Sequence, residues 1–242
     1  IIPARYASTR FPGKPLALVH GTPMIACVWR GVTALPAVDH AVVATDDERI
    51  YQAVKAFGGD VVMTSPLHAS GTDRCGEVLS RWHEPVDIVI NVQGDEPNVH
   101  ASQLQSLIDA FADPDVSVAT LRKRIETTEE LLSPNVVKVV TDARNRALYF
   151  SRQPLPHLRG VPTSEWLQRH PYYKHVGIYA FRSAVLSRLV ALPQAPTERA
   201  ESLEQLRWLH NGTPITVLDT CLDNVGIDTP DDLHRLHSKY ST

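Results

Sequence analysis

Cysteine is scarce: Cys27, Cys75 and Cys221 are the only three in 242 residues, and no C-x-x-C pair occurs. That excludes a disulfide framework and a cysteine-based zinc site, and it suits a reducing compartment. No apolar run reaches the roughly 20 residues that span a bilayer. No stretch reads as a signal peptide, so the expectation is a cytoplasmic protein with no membrane partner. Charge of one sign is also lacking, with 24 Lys+Arg against 27 Asp+Glu and a formal net charge of −3. This balance argues against nucleic acid or an anionic membrane as the main partner. The 12 glycines and 18 prolines show no period, which excludes a collagen-like chain. Two phosphate motifs are missing. Without G-x-x-x-x-G-K-[ST] the chain is not a Walker-type nucleoside triphosphatase, and without G-x-G-x-x-G after the first strand it is not a dinucleotide dehydrogenase.

What is present is a 43% apolar chain, enough to bury a core without staples. Short β-rich runs at Ile1–Ala4, His40–Ala44, Asp60–Met63 and Ile88–Val92 alternate with amphipathic stretches. Thr22-Pro23 predicts a capped helix start, Thr45–Glu48 a capping box, and Gly71–Trp82 a further helix. The order βαβαβαβ predicts an α/β fold around a mostly parallel sheet. The second half is less regular. Val116–Leu121, Tyr173–Phe181 and Pro214–Leu218 read as strands, and Val136–Val140 with Ala147–Ser151 reads as a hairpin. Glu201–Leu209 reads as one helix. Gln153–Pro171, rich in proline and polar residues, reads as a loop or closing segment. The whole reads as one domain over residues 1–242 with an inserted subregion over residues 122–180.

Three segments carry chemistry. Pro3–Leu16 holds Arg5, Arg10 and Lys14 and no acid. It follows a strand, so it lies at the carboxyl edge of a parallel sheet, where ligands bind. Arg and Lys match phosphate oxygens, and Ser8, Thr9 and the Gly13 amide add neutral donors. The apolar strand ending at Asn91-Val92 runs into Gln93-Gly94-Asp95-Glu96 at the same edge, where Asp95 suits Mg²⁺. In Gly226–Leu233, Thr229 and Asp232 form a capping box with Pro230 at the first helical position. Asp228 is then left for a second metal carboxylate. Cations for phosphates and two distant carboxylates point to phosphoryl or nucleotidyl transfer.

The chain resembles the CMP-Kdo synthetase (3-deoxy-manno-octulosonate cytidylyltransferase) family. The blocks that carry the resemblance are Ile2–Tyr6 with Arg10–Leu16, Val43–Ile50, Ser70–Arg74, Asn91–Pro97, Ala147–Arg152, Tyr173–Tyr179, Glu201–Arg207 and Gly226–Pro230. They span the chain in order. The resemblance implies a three-layer, Rossmann-like nucleotide-diphospho-sugar transferase fold with an inserted dimerisation subregion, and a homodimer. It implies a Mg²⁺-dependent enzyme that joins CTP and Kdo into CMP-Kdo and pyrophosphate for lipopolysaccharide biosynthesis. Arg10, Lys14, Asp95 and Asp228 would be the catalytic set, with Asp95 and Asp228 carrying the metal. Arg5, Ser8, Arg10, Lys14, Ser70, Gly71, Thr72 and Arg74 would hold the nucleotide. Gln93, Arg152, His175, Tyr179, Glu201 and Glu204 would line the sugar site. The residues alone support Arg152 as a bidentate carboxylate binder. They leave His175 open between a structural and a functional role, and Glu201 and Glu204 open between a solvated helix face and hydroxyl recognition.

Three other readings compete. A synthetase for another 2-keto acid sugar, such as a sialic acid or an amino analogue of Kdo, would keep the same metal and phosphate residues. A sugar-1-phosphate nucleotidyltransferase would need extra cations for its acceptor, and Arg152, Lys174 and Arg207 are available. A silent nucleotide-binding regulator would be expected to lack a metal carboxylate, whereas Asp95 and Asp228 are both present.

Overall fold

The computed structural model describes residues 1–7, 11–223, 226–227, 229 and 231–233. The chain divides into two units, Ile1–Ile108 with Asn224–Thr242, and Asp109–Asp223.

The first unit opens with β1 (Ile2–Ala4), a small antiparallel pair β2 (Leu18–Val19) and β3 (Thr22–Pro23), and helix α1 (Met24–Thr33). Then come β4 (Val43–Thr45), α2 (Glu48–Ala56), β5 (Val61–Met63), α3 (Gly71–Arg81), β6 (Ile88–Asn91) and α4 (Ala101–Asp109). β1 pairs with β4 in parallel, Ile2 opposite Val43, and β4 pairs with β5 in parallel, Val43 opposite Val61. On the other flank of β1, Ile1 N donates to Ile90 O (2.7 Å), Val92 N to Ile1 O (3.0 Å) and Gly94 N to Pro3 O (3.2 Å). β6 and its continuation therefore run alongside β1 in the same direction. Every residue of β1 and β4 is buried, as strands covered on both faces require. Because these strands are parallel, the loops after β1, β4, β5 and β6 leave from one edge. That edge is where the sequence placed its basic loop and Asp95.

Two local expectations shift. Thr22 is taken up by the β2–β3 pair, so Pro23 stands at the N-cap of α1 with no side-chain cap. Thr45 ends β4, and Asp47 caps α2, accepting from Arg49 N at 2.9 Å. The Arg49 side chain above all holds the Asp47 carboxyl below its usual range; burial opposes it, and the Arg49 and Ile50 amides add to the lowering. Asp47→Ala is expected to cost about 1 kcal/mol, the usual worth of an N-cap. Since the folded-state pKa is lowered, the stabilisation is complete above the ordinary carboxylate range and is lost as pH falls through the lowered value. Thermal unfolding of parent and variant at neutral and at acid pH tests this, with the gap closing in acid.

The second unit contains β7 (Val118–Arg124), α5 (Thr128–Leu132), β8 (Lys138–Thr141), β9 (Ala147–Ser151) and α6 (Trp166–Arg169). It continues with β10 (Tyr173–Arg182), α7 (Ser183–Leu189), α8 (Pro196–Glu201), α9 (Gln205–His210) and β11 (Thr216–Asp219). Its strand order is β11-β7-β10-β8-β9, antiparallel except for β11 on β7. The expected hairpin is present as β8 and β9. The stretch Gln153–Pro171, expected as a loop, folds onto its own apolar cluster. Trp166 packs with Ile125, Leu131 and Tyr172, its indole N–H donating to Val161 O at 2.8 Å. The helix expected over Glu201–Leu209 is broken at Ser202, which takes a left-handed conformation (φ 52°, ψ 49°). Glu201 therefore ends α8, and Glu204 is the N-cap of α9.

Candidate active site

At the carboxyl edge of the first unit lies a cavity of about 280 Å³, lined among others by Arg5, Lys14, His68, Ser70, Arg74, Gln93 and Asp95. A slightly larger cavity, about 310 Å³, opens around Ile1, Trp82 and Ile88 and contains none of the expected site residues. Size alone would favour the second. The chemistry, cations and a carboxylate at the carboxyl ends of parallel strands, favours the first.

Lys14 reaches this cavity through the loop after β1. Gly13 takes φ +72° and its N–H donates to Tyr6 O at 2.9 Å. A Cβ there would stand 2.9 Å from the Tyr6 ring, so only glycine closes this turn. The turn leads into a 3-10 segment, Lys14–Leu16, that buries most of the lysine stem. Lys14 Nζ pairs with Asp95 Oδ2 at 2.5 Å. The expected phosphate cation and the expected metal carboxylate, 81 residues apart, thus meet side by side. Arg5, exposed, adds a second cation to the cavity wall.

Asp95 is placed by Gly94. A Cβ on Gly94 would lie 2.8 Å from Pro3 O, so the glycine serves the close approach of this loop to β1. Ile227 N donates to Asp95 O at 3.1 Å, which brings the residue before Asp228 onto the Asp95 backbone. Thr229 and Asp232 form the expected reciprocal box, Thr229 N to Asp232 Oδ2 (2.8 Å) and Asp232 N to Thr229 Oγ1 (3.2 Å). Asp228 itself, with Ser8, Thr9, Arg10 and Pro230, lies outside the described residues.

The Ser70–Arg74 block opens α3. Ser70 Oγ accepts from Asp73 N (3.0 Å) while Asp73 Oδ2 accepts from Ser70 N (3.2 Å), so Ser70 caps the helix as well as lining the cavity. Gly71 lines the cavity, whereas Thr72 is buried and does not. Arg74 is buried, donating to Asp46 Oδ2 at 3.1 Å and to the Thr64 hydroxyl. Sequence reasoning missed His68 and Glu77. His68 lines the cavity and its Nε2 contacts Glu77 Oε2. The nine-residue spacing of this pair is not a helical one, so no local pattern marked it.

Of the expected sugar residues, Gln93 lines the cavity of the first unit, and the others lie in the second. There Glu201 grips the end of β9. Its carboxylate accepts from Ser151 Oγ (2.6 Å) and Arg152 N (2.9 Å), and its carbonyl accepts from Arg152 Nε (2.7 Å). Both Glu201 carboxylate oxygens are therefore engaged, Oε1 by the Ser151 hydroxyl and Oε2 by the Arg152 amide. Lys138, fully buried, donates to the carbonyls of Ser133, Val136 and Arg152 at 2.7–2.8 Å, and burial pushes its pKa down. His175 stands between Phe150 and Tyr179 at ring distances of 5.1 and 5.2 Å, its Nε2 2.9 Å from Thr120 Oγ1. Burial lowers its pKa to about 3, so the ring is neutral at physiological pH. Burial first, then Glu204, raises the Tyr179 hydroxyl well above its ordinary value.

The chain is similar to known proteins over nearly its whole length. A family model described as cytidylyltransferase matches residues 1–215. The chain is 51% identical to the 3-deoxy-manno-octulosonate cytidylyltransferase of Parabacteroides distasonis, over 97% of this chain and 94% of that one. It is 47% identical to the same-named protein of Geobacter sulfurreducens, over 99% and 97%. A solved CMP:2-keto-3-deoxy-manno-octonic acid synthetase in complex with CTP superposes with a TM-score of 0.91 at 43% identity, covering 98% of this chain and 95% of that one. The 4-diphosphocytidyl-2C-methyl-D-erythritol synthase of Anaerococcus prevotii shares the fold, with a TM-score of 0.66 at 12% identity.

Proposed function

As the chain belongs to the 3-deoxy-manno-octulosonate cytidylyltransferase family, we propose that it transfers CMP from CTP to the anomeric 2-hydroxyl of Kdo, releasing pyrophosphate. The observation that carries this reading is the meeting of Lys14 and Asp95 in a cavity also lined by Arg5 and the start of α3. Lys14, with Arg5 and Arg10, holds the triphosphate, and Ser8 adds a neutral donor. Ser70, Gly71 and Arg74, which line the cavity, serve the nucleoside end; Thr72, expected with them, is buried away from it. Arg152 takes the sugar carboxylate with the N–H groups left over after its guanidinium has donated to the carbonyls of Glu201, Pro134 and Ser202, its backbone steadied by Glu201 and Lys138. His175 contributes hydrogen bonding and no charge, with Gln93, Tyr179 and Glu204 toward the sugar hydroxyls. The 2-hydroxyl oxygen attacks the α-phosphorus. The new O–P bond forms as the bond to the β-phosphate oxygen breaks; the hydroxyl proton passes to solvent, and pyrophosphate carries away the electron pair.

Mg²⁺ fits the donor set. Asp95 is a hard oxygen ligand, 34% exposed in its side chain, at a cavity that also gathers cations for phosphate. Mg²⁺ is usually held by one or two carboxylates plus substrate phosphates, so a closed protein cage is not required. Asp95 and Asp228 would hold it. Bound there, it would neutralise charge on the phosphates and lower the pKa of the sugar hydroxyl. The proposal extends to a cytoplasmic homodimer that supplies lipopolysaccharide biosynthesis.

Pyrophosphate release from a panel of nucleotides and acceptor sugars, with and without Mg²⁺, tests this. Release is expected only with CTP, Kdo and metal together. Release with CTP and a different 2-keto acid sugar would keep the fold and phosphate residues and overturn the acceptor.

A further inference from the structure

His68 and Glu77 form a pair at the wall of the cavity that the reaction above does not use. Glu77 Oε2 accepts from Ser65 N at 2.8 Å and contacts His68 Nε2. Arg81, one helical turn further on, also pairs with Glu77. Burial works to raise the Glu77 pKa, but the Ser65 amide, His68 and Arg81 outweigh it and hold the carboxyl below its usual range. An ionised carboxylate can only accept, so the proton in the contact belongs to His68 Nε2. In a neutral imidazole, a protonated Nε2 leaves Nδ1 as an acceptor. Among the described residues His68 makes no other hydrogen bond.

Arg74 stands on the same cavity with its guanidinium only partly engaged. One terminal nitrogen serves Thr64 and Ser65 O, and the other gives one bond to Asp46. Of the five N–H donors, two remain. His68 and Arg74 both line the cavity, and between them they keep one uncommitted acceptor and two uncommitted donors. The pairing edge of cytosine has one donor, the 4-amino group, beside two acceptors. Uracil replaces that donor with a carbonyl oxygen, which would face the Nδ1 lone pair.

We propose that His68, held by Glu77 in the tautomer with its proton on Nε2, reads the 4-amino group of the nucleotide base and so sets the preference for CTP over UTP. This rests on the CTP reading given above. Buried groups built to hydrogen-bond a substrate reject the analogue that lacks the partner, because the protein group is then left unpaired.

The test compares parent and His68→Phe, which keeps a flat ring and removes the acceptor. At pH 8, kcat/KM is measured for CTP and UTP with the same acceptor sugar. The ratio in favour of CTP is expected to shrink about tenfold in the variant, the worth of one hydrogen bond. A second measurement leaves the protein unaltered. The dissociation constants of CTP and of the pyrimidin-2-one riboside triphosphate, which lacks the 4-amino group, are measured without acceptor. The parent is expected to bind the analogue about tenfold more weakly, whereas His68→Phe treats the two alike. An equal fall for CTP and UTP in the variant would mean a structural role and overturn the proposal. So would an unchanged ratio, or a lost preference for CTP over 2′-deoxy-CTP with the CTP/UTP ratio intact. Should the parent bind UTP and not CTP, the CTP reading itself would fall; should it prefer CTP without regard to the 4-amino group, only this inference would.

Discussion

Asp95→Asn is expected to lower kcat roughly 10³-fold, the scale on which a preorganised charge stabilises a phosphoryl-type transition state. The substitution keeps the shape and removes the charge. Asp95 has two jobs in the structure and the proposal together. Its carboxylate pairs with Lys14 at 2.5 Å, and in the proposal it would hold the Mg²⁺. An amide is a far weaker ligand for Mg²⁺, so the variant should need much more Mg²⁺ for its residual activity. It also leaves Lys14, whose side chain is 10% exposed, without its carboxylate partner, so thermal unfolding must be followed in parallel to separate lost stability from lost chemistry. The measurement is steady-state pyrophosphate release across a Mg²⁺ titration. Normal turnover with Mg²⁺ present would sink the metal assignment. Because the backbone of Asp95 is held by Ile227, the loop itself should keep its place in the variant.

Lys14→Met is expected to reduce kcat/KM for CTP about 100-fold, with a smaller effect on the KM of the acceptor. Methionine preserves most of the buried stem and removes the ammonium. The Lys14–Asp95 pair makes the effects of the two substitutions interdependent. Lys14 and Asp95 pair in the structure; in the proposal, with nucleotide bound, the ammonium would act on phosphate and the carboxylate on metal. The double variant should therefore lose less than the product of the single losses, since neighbouring sites in one charge network do not add. Lys14→Arg is not a safe control, because the planar guanidinium is larger and presents its donors in a fixed fork. If Lys14→Met lowered activity equally at all CTP concentrations while leaving CTP binding intact, the phosphate-holding role would be wrong.

The wider site was unevenly legible. The carboxyl-edge loops were readable because strand-loop punctuation is local: Ala4 to Arg5, and Asn91 through Gln93 to Asp95. The Thr229–Asp232 box was readable for the same reason, since a three-residue spacing shows in the chain itself. Glu201 and Glu204 misled. Their spacing predicts one helix face, yet Ser202 turns left-handed between them. Glu201 is then drawn into a hydrogen-bonded clasp on Ser151 and Arg152, 50 and 49 residues away. The neighbour that demands a glycine at 94, the carbonyl of Pro3, is likewise remote in sequence.

By itself the sequence determined the alternation of strands and helices, the helix starts marked by capping side chains to within about two residues, and the chemical type of the loops at the ligand edge. Those features depend on neighbours a few positions apart, where period and side-chain reach are set by backbone geometry. Only the tertiary structure decided that Lys14 faces Asp95, that Arg74 is held by Asp46 and Thr64, that His68 meets Glu77, and that burial lowers the pKa of His175. Each of these comes from chain segments brought together by the burial of the strands between them. Desolvation and ion pairing act through space, and no spacing along the chain records them.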